Sequence, residues 1–185
     1  MRVLLATGNA HKVEEVQLIL GPEVEVVGHD SGVEETGTTF EENALLKARA
    51  LASSTGELAV ADDSGIEIDH LGGAPGIHSA RWASEGDWIP KVLRDLDGVR
   101  AEGRGCRYVC AAAAVWPDGR AEVVRGTVEG RVADAPRGTG GFGYDPIMEP
   151  VEGDGRTFAE MTPDEKHAIS HRARAFRRLW REIVT

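Results

Sequence analysis

The chain has 185 residues, a length typical of one domain with a sizeable core, and we expect a single domain over residues 1–185. Its 31 acidic and 21 basic residues give a formal net charge of -10, which argues against nucleic acid as a partner because the surface would repel a phosphate backbone. No apolar run approaches the roughly 20 residues that cross a bilayer, and the N-terminus is too short for a signal-peptide core, so we expect a cytoplasmic protein without a membrane partner.

The first apolar run, Val3 to Ala6, is typical of a strand that is covered on both faces. A polar turn, Thr7 to Lys12, follows it, and apolar residues then recur at helical spacing from Val13 to Leu20. A strand, a turn with glycine and a helix start offer free backbone N–H groups to an anion. An ordinary connection with an Asn cap explains the same pattern, so the turn alone does not establish phosphate binding.

A second strand is predicted at Val24 to Val27 and a second helix from Phe40 to Ser53. Thr39 followed by Glu42 is the capping box that starts this helix. Lys47 falls at the margin of the apolar arc of the helix. Its ammonium group either reaches solvent or points along the sheet edge towards a ligand.

The sequence Ala61-Asp62-Asp63-Ser64-Gly65 follows an apolar run and predicts the sharp end of a buried strand. Successive residues of an extended chain point to opposite faces, so we expect the backbone to turn here, which Gly65 permits. One aspartate would then anchor the backbone while its neighbour faces a site. A turn that merely caps the strand is the alternative.

The middle of the chain predicts a long functional loop and a hairpin. Residues 71–82 are rich in glycine and proline, and Arg81 at their end is a candidate anion ligand. A helix is predicted from Trp88 to Leu96. The apolar run Cys106 to Trp116 and the segment Ala121 to Val128 flank a Pro-Asp-Gly turn, which indicates an antiparallel hairpin and hence a mixed sheet.

Gly138 to Gly143 matches the spacing G-x-G-x-x-G, but Tyr144-Asp145-Pro146 follows where a dinucleotide site would need a helix. A loop with Phe142, Tyr144 and Asp145 suits a nucleobase better, with a structural turn as the alternative. The final helix begins with Thr162 as its cap and is expected to continue to the C-terminus.

On that final helix, Arg172 projects onto the apolar stripe and Lys166 lies at its margin, whereas His171 falls on the polar face and is expected to be solvated. A guanidinium against a core needs a partner. The position of Arg172 therefore indicates either an internal ion pair or a site that the helix helps to close.

Five blocks in order resemble the inosine triphosphate pyrophosphatase family. The blocks are Ala6 to Asn9 with Lys12, Glu35 to Ala48, Ala61 to Arg81, Gly138 to Pro146, and Glu165 to Arg172. The resemblance covers nearly the whole chain. It implies an α/β fold with a mixed, elongated, twisted central sheet, flanking helices and two lobes with a cleft between them. It also implies a homodimer and the hydrolysis of ITP, dITP or XTP to the monophosphate and pyrophosphate.

The resemblance also implies roles for individual residues. Glu35 and Asp63 would bind Mg²⁺, with Mn²⁺ as the alternative, and Asp63 would accept the proton of the attacking water. Lys47 would act with Asp63 in catalysis as a countercharge. The substrate would be bound by these residues: Thr7, Gly8, Asn9, Ala10, His11, Lys12, Ser64, Arg81, Phe142, Gly143, Tyr144, Asp145, Lys166, His171 and Arg172.

Two other functions compete with hydrolysis of a triphosphate. A sensor that binds modified nucleotides would keep Lys12 and the base loop, but it would not need Glu35, Asp62 and Asp63 together. A phosphomonoesterase that forms an aspartyl phosphate would need D-x-D at the end of the first strand, where Thr7-Gly8-Asn9 stands instead. The joint presence of the three carboxylates favours a nucleotide hydrolase.

Overall fold

The structure is a computed structural model and describes residues 1–84 and 86–185. In chain order its strands are β1 (Arg2–Ala6), β2 (Glu25–His29), β3 (Ala59–Ile68), β4 (Gly105–Val115), β5 (Ala121–Val132) and β6 (Met148–Pro150). Its helices are α1 (Ala10–Leu20), α2 (Phe40–Thr55), α3 (Trp88–Asp95), α4 (Pro163–Ile169) and α5 (His171–Val184). Among the described residues, no helix is both long and apolar enough to cross a membrane.

The strands form one sheet in the order β2, β1, β3, β4, β5, β6. β1 pairs in parallel with both β2 and β3, whereas β5 and β6 pair antiparallel. β4 and β5 are neighbours, and the tight turn between them is closed by a hydrogen bond from the Trp116 N–H to the Arg120 carbonyl. The predicted mixed sheet with flanking helices and the predicted hairpin are confirmed.

The chain forms two compact units, and the first consists of Met1–Asp63, Cys110–Gly126 and His171–Thr185. Within it, α2 packs against β1, and α1 packs against α5 and β2. This packing covers the apolar run of β1, in which Leu5 is completely buried. The core of the first unit contains Val3, Leu5, Val16, Ile19, Val24, Val26, Val60, Cys110, Ala112, Ala114, Val124, Ala173, Ala175, Phe176 and Leu179.

The second unit consists of Ser64–Val109 and Thr127–Ser170. Its core contains Ile66, Ile68, Val92, Leu96, Cys106, Tyr108, Val128, Val132, Tyr144, Ile147, Met148, Phe158 and Met161. The buried Arg104 donates hydrogen bonds to the carbonyls of Leu96, Val132 and Ala133. A buried guanidinium is tolerated here because backbone oxygens replace its hydration.

The expected turn after Asp62 and Asp63 is wrong, because β3 continues through both residues to Ile68. Asp62 and Asp63 therefore point to opposite faces of an extended strand. Gly65 serves a close approach rather than a turn, since a Cβ atom there would lie 2.4 Å from the Gly76 carbonyl oxygen. Ser79 also lies against Gly65, and its hydroxyl accepts a hydrogen bond from the Ile66 N–H.

The expected continuous C-terminal helix is also wrong, because the chain breaks at Ser170 into α4 and α5. Ser170 has an extended backbone with φ -66° and ψ 151°. The break changes the direction of the side chains that follow it, and His171 is buried rather than solvated. The predicted start is confirmed, since Thr162 and Glu165 form a capping box.

Gly126 in β5 fixes the position of α5 within the first unit. A Cβ atom at Gly126 would lie 2.3 Å from the carbonyl oxygen of His171 and 2.6 Å from the nitrogen of Ala175. The backbone of α5 therefore packs directly on the strand. This contact places the first turn of α5, which carries Arg172, against the sheet.

Candidate active site

The turn after β1 presents the start of α1 on the surface. Asn9 caps this helix through its side-chain oxygen, which accepts a hydrogen bond from the His11 N–H at 2.9 Å. The hydroxyl of Thr7 accepts a hydrogen bond from the Asn9 N–H at 3.1 Å. Gly8, Asn9, Ala10 and His11 are exposed. The structure thus shows the Asn cap that the sequence analysis gave as the alternative, and the positive end of this 11-residue helix lies at the surface.

Behind this turn, Asp62 binds two cations in the interior of the first unit. Its Oδ2 atom lies 3.1 Å from Lys12 Nζ and 3.1 Å from Arg172 Nη2. Glu15 forms an ion pair with the other terminal nitrogen of Arg172. Burial alone would raise the pKa of Asp62, but Lys12 and Arg172 lower this pKa far below its usual range. Asp62 therefore remains a carboxylate that anchors Lys12.

Asp63 lies on the other face of β3 with a second set of partners. Its Oδ2 atom accepts a hydrogen bond from Asn43 Nδ2 at 2.9 Å. Burial raises the pKa of Asp63, the nearby charge of Glu35 adds to the increase, and Lys47 and Asn43 oppose it. A carboxylate with a raised pKa accepts a proton more readily than an exposed aspartate does.

Lys47 interacts electrostatically with three acidic residues, Glu35, Asp62 and Asp63. Its ammonium nitrogen lies 2.6 Å from Glu35 Oε1. Burial opposes the charge on Lys47, but the attraction of Asp62, Asp63 and Glu35 outweighs burial and raises the pKa of this lysine. Lys47 therefore stays protonated beside the acidic residues. Of the two directions left open by the sequence, the side chain points inward to this cluster.

The carboxylates of Glu35 and Asp63 are suited to a hard divalent cation. Among the described residues, no group of three or more His, Cys, Asp or Glu side chains is placed to hold a metal ion. Mg²⁺ commonly uses one or two carboxylates and completes its shell with water and substrate phosphate. The charge of Glu35 also raises the pKa of Asp63, an electrostatic cost that a bound cation would relieve. The donor set thus fits Mg²⁺.

A separate group of polar residues surrounds Asp145 in the second unit. The Asp145 carboxylate accepts hydrogen bonds from the Phe142 N–H at 2.9 Å, from the Tyr108 hydroxyl at 3.1 Å and from Lys166 Nζ at 2.6 Å. Lys166 Nζ also lies 5.3 Å from the centre of the Phe142 ring. The buried carboxylate therefore fixes the shape of the glycine-rich loop and leaves the Phe142 ring partly exposed.

The other predicted substrate residues occupy varied surroundings. Tyr144 is buried and donates a hydrogen bond to the Ser79 carbonyl at 2.7 Å, and burial raises the pKa of its hydroxyl. Gly143 and Ser64 are partly exposed, and Arg81 is exposed at the end of a 3-10 segment, Gly76–Arg81. Lys166 belongs to the second unit, whereas His171 and Arg172 belong to the first.

Two buried polar residues at the site were not assigned a role from the sequence. Glu15 is 8% exposed and Asn43 is 0% exposed. Glu15 stands four residues before the buried Ile19, and Asn43 stands three residues after the buried Phe40, so both lie on inward helix faces. A polar residue on the inward face of a helix was the sequence signal that could have identified both residues.

Comparison with known proteins identifies the family of this chain. The model of the Ham1 family matches residues 3–182. A dITP/XTP pyrophosphatase from Symbiobacterium thermophilum is 55% identical, over 96% of this chain and 92% of that protein. A dITP/XTP pyrophosphatase from Streptomyces coelicolor is 52% identical, over 96% of this chain and 94% of that protein.

A solved structure of a HAM1 protein from Coxiella burnetii is 38% identical and superposes with a TM-score of 0.86. The match covers 100% of this chain and 98% of the other. These matches confirm the family resemblance that the five sequence blocks indicate. With nearly every residue of the chain covered by the family model, the chain belongs to the Ham1 family.

Proposed function

We propose that this protein hydrolyses non-standard purine nucleoside triphosphates, namely ITP, dITP and XTP, to the monophosphate and pyrophosphate, and so cleans the nucleotide pool. The observation that carries the proposal is the charge arrangement of the first unit, where Lys12 and Lys47 lie with Glu35, Asp62 and Asp63. Cations for a polyphosphate and carboxylates for a metal and a proton are the groups that phosphoryl transfer needs. The two pyrophosphatase relatives are named for dITP and XTP, which supports this class of substrate.

The triphosphate is bound by the turn from Thr7 to Lys12. The exposed start of α1 presents the positive end of the helix dipole, and Lys12, held by Asp62, supplies a fixed positive charge. Lys47 and Arg81 act as further countercharges, and Ser64 contacts the substrate. An anchored lysine loses less conformational freedom on binding than a lysine that moves freely in solvent.

Asp63 accepts the proton of the water that attacks the α-phosphorus, and pyrophosphate leaves. Asn43 holds one of its oxygens in place and so orients the carboxylate for the proton transfer. Mg²⁺ held by Glu35 and Asp63, or Mn²⁺ in its place, would neutralise the charge on the phosphate oxygens when bound. Lys47 stabilises the remaining negative charge in the transition state.

The purine is recognised by the residues assigned to it from the sequence: Phe142, Gly143, Tyr144, Asp145, Lys166, His171 and Arg172. Phe142 offers an aromatic face for stacking, and Asp145 sets its loop through the Phe142 N–H. A hydrogen-bond donor of the protein that faces the 6-oxo group would lose its acceptor if adenine were bound, because adenine has an amino group at that position. Each such loss costs about 1–3 kcal/mol and disfavours ATP.

We further propose that the enzyme acts in the cytoplasm as a homodimer. The resemblance to the family supports this assembly. Sedimentation velocity over a range of protein concentrations measures it directly. A protein that sediments as a monomer at every concentration up to that of the activity assay contradicts it.

The function is tested by comparing nucleoside triphosphates at equal concentration. We expect pyrophosphate release from ITP, dITP and XTP with Mg²⁺, a much lower kcat/KM for ATP, and no release in EDTA. Tight binding of ITP without pyrophosphate release would instead identify a nucleotide sensor. Release of inorganic phosphate alone would place the cleavage at a different bond.

A further inference from the structure

Asn43 joins the two carboxylate-bearing segments of the candidate active site. It lies in the first turn of α2 and is 0% exposed. Its Nδ2 atom donates to Asp63 Oδ2 at 2.9 Å, and its Oδ1 atom accepts a hydrogen bond from the Gly37 N–H at 2.8 Å. Gly37 is two residues beyond Glu35 in the same polar loop. One buried amide therefore contacts both the strand of Asp63 and the loop of Glu35.

The two hydrogen bonds require an amide in one orientation. Asp63 offers a carboxylate, which can only accept a hydrogen bond, and the Gly37 N–H can only donate one. A flipped amide would place acceptor against acceptor and donor against donor. An aspartate at position 43 has the same shape and could keep the bond to Gly37, but it would face Asp63 with a second carboxylate.

The absence of a side chain at Gly37 allows its backbone to approach Asn43 closely. A Cβ atom at position 37 would lie 2.6 Å from Asn43 Oδ1 and 2.7 Å from the Cβ atom of Glu42. Any side chain there would push the loop away from α2. Because Gly37 is not among the glycines with positive φ, this close approach is the reason for glycine at the position.

We propose that Asn43 is a positioning residue that holds Asp63 and the Glu35 loop in a single catalytic arrangement, an inference that rests on the proposed function. Through its amide N–H it orients the carboxylate that accepts the proton. Through its carbonyl oxygen it sets the distance of the Glu35 loop from that carboxylate. Groups of this kind are worth roughly 10- to 100-fold in activity or metal affinity.

The first variant is Asn43→Asp, compared with Leu51→Ala as a control. Leu51 is a buried apolar residue two turns further along α2, so its truncation weakens the same helix without removing either hydrogen bond. At saturating ITP and Mg²⁺ we expect Asn43→Asp to lower kcat roughly 10- to 100-fold, with KM changed only a few-fold. Leu51→Ala should lower the thermal midpoint but keep kcat near the wild-type value.

The second variant, Gly37→Ala, tests the loop side and remains informative if Asn43→Asp does not fold. We expect the dissociation constant for Mn²⁺, titrated into the protein without nucleotide, to rise about 10-fold. The thermal midpoint of Gly37→Ala, measured without metal, shows whether the substitution weakens the whole fold or only the binding of Mn²⁺. Unchanged Mn²⁺ affinity in Gly37→Ala, wild-type kcat in Asn43→Asp, or an equal loss of kcat in Leu51→Ala overturns the inference.

The wild-type protein separates this inference from the proposed function. If the wild type releases no pyrophosphate from any of the three nucleotides, the proposed function fails. If the wild type is active and the Asn43 variant is equally active, only the positioning role fails.

Discussion

Asp62 and Asp63 are neighbours in the sequence, but the structure gives their carboxylates opposite electrostatic surroundings. Asp62 lies between Lys12 and Arg172, and despite its burial these cations lower its pKa. Asp63 lies beside Asn43 and the charge of Glu35, and burial raises its pKa. The alternation of side chains along β3 is the cause, because it sends the two residues to different faces. One carboxylate thus stabilises the fold and the other is available for chemistry.

The replacement Asp63→Asn should abolish activity without weakening the fold. Because the folded-state pKa of Asp63 is above its unfolded value, the charged form costs stability at neutral pH, and a neutral amide removes that cost. We expect kcat to fall at least about 100-fold and the metal-free thermal midpoint to stay or rise. Turnover at the wild-type rate with unchanged unfolding would remove Asp63 from the mechanism.

The replacement Asp62→Asn should have the opposite effect on stability. It leaves Lys12 and Arg172 with one carboxylate fewer in a buried position, where removal of one member of an ion pair costs roughly 3–5 kcal/mol. Urea unfolding measures the loss. Asp63→Asn is the matched control, and a stability loss of the same size in both variants would contradict this assignment.

The pH dependence of unfolding separates the two aspartates further. The folded-state pKa of Asp62 is below its unfolded value, near 3.8, so its stabilisation is present above that pH and declines as the pH falls through it. Asp63 contributes in the opposite sense, since its protonation on acidification relieves a cost. The wild type should therefore lose more stability between pH 6 and about pH 3 than Asp62→Asn does. An identical slope in both proteins would contradict this.

At the scale of elements, local signals predicted the helix caps, whereas a helix break and a strand extension that depend on distant packing were missed. Thr39 and Thr162 cap α2 and α4 where the sequence places them, because a cap depends on residues three positions apart. The break at Ser170 and the continuation of β3 past Asp63 depend on packing by distant segments. For example, Gly65 is required by the approach of Gly76, which no local pattern reveals.

The contact of α5 with Gly126 gives a prediction for one element. In Gly126→Ala the new Cβ atom would lie 2.3 Å from the His171 carbonyl oxygen, so α5 must shift. We expect a loss of about 1–3 kcal/mol in urea unfolding, the usual cost of overpacking. Glu122→Ala, an exposed change in the same strand, is the control and should have little effect. Equal stability of the two variants would show that α5 adapts freely.

At the scale of the whole molecule, the sequence predicted the fold class and the family. The mixed sheet followed from an early apolar strand and a late hairpin, and the family followed from five blocks in order. The partners of Asp62 could not be predicted, because Arg172 stands 110 residues away in the chain. Glu15 and Asn43 were passed over for the same reason: a buried polar residue gains its role only from a distant partner.

Each compact unit has one buried cysteine, whose exposure to solvent would report the unfolding of that unit. Cys106 belongs to the core of the second unit and Cys110 to the core of the first, and both are free thiols. Burial raises the pKa of Cys106 to about 12 and also raises that of Cys110, so neither thiol is reactive in the folded chain. Pulsed alkylation followed by peptide mass spectrometry would time the two exposures separately, without any engineered label.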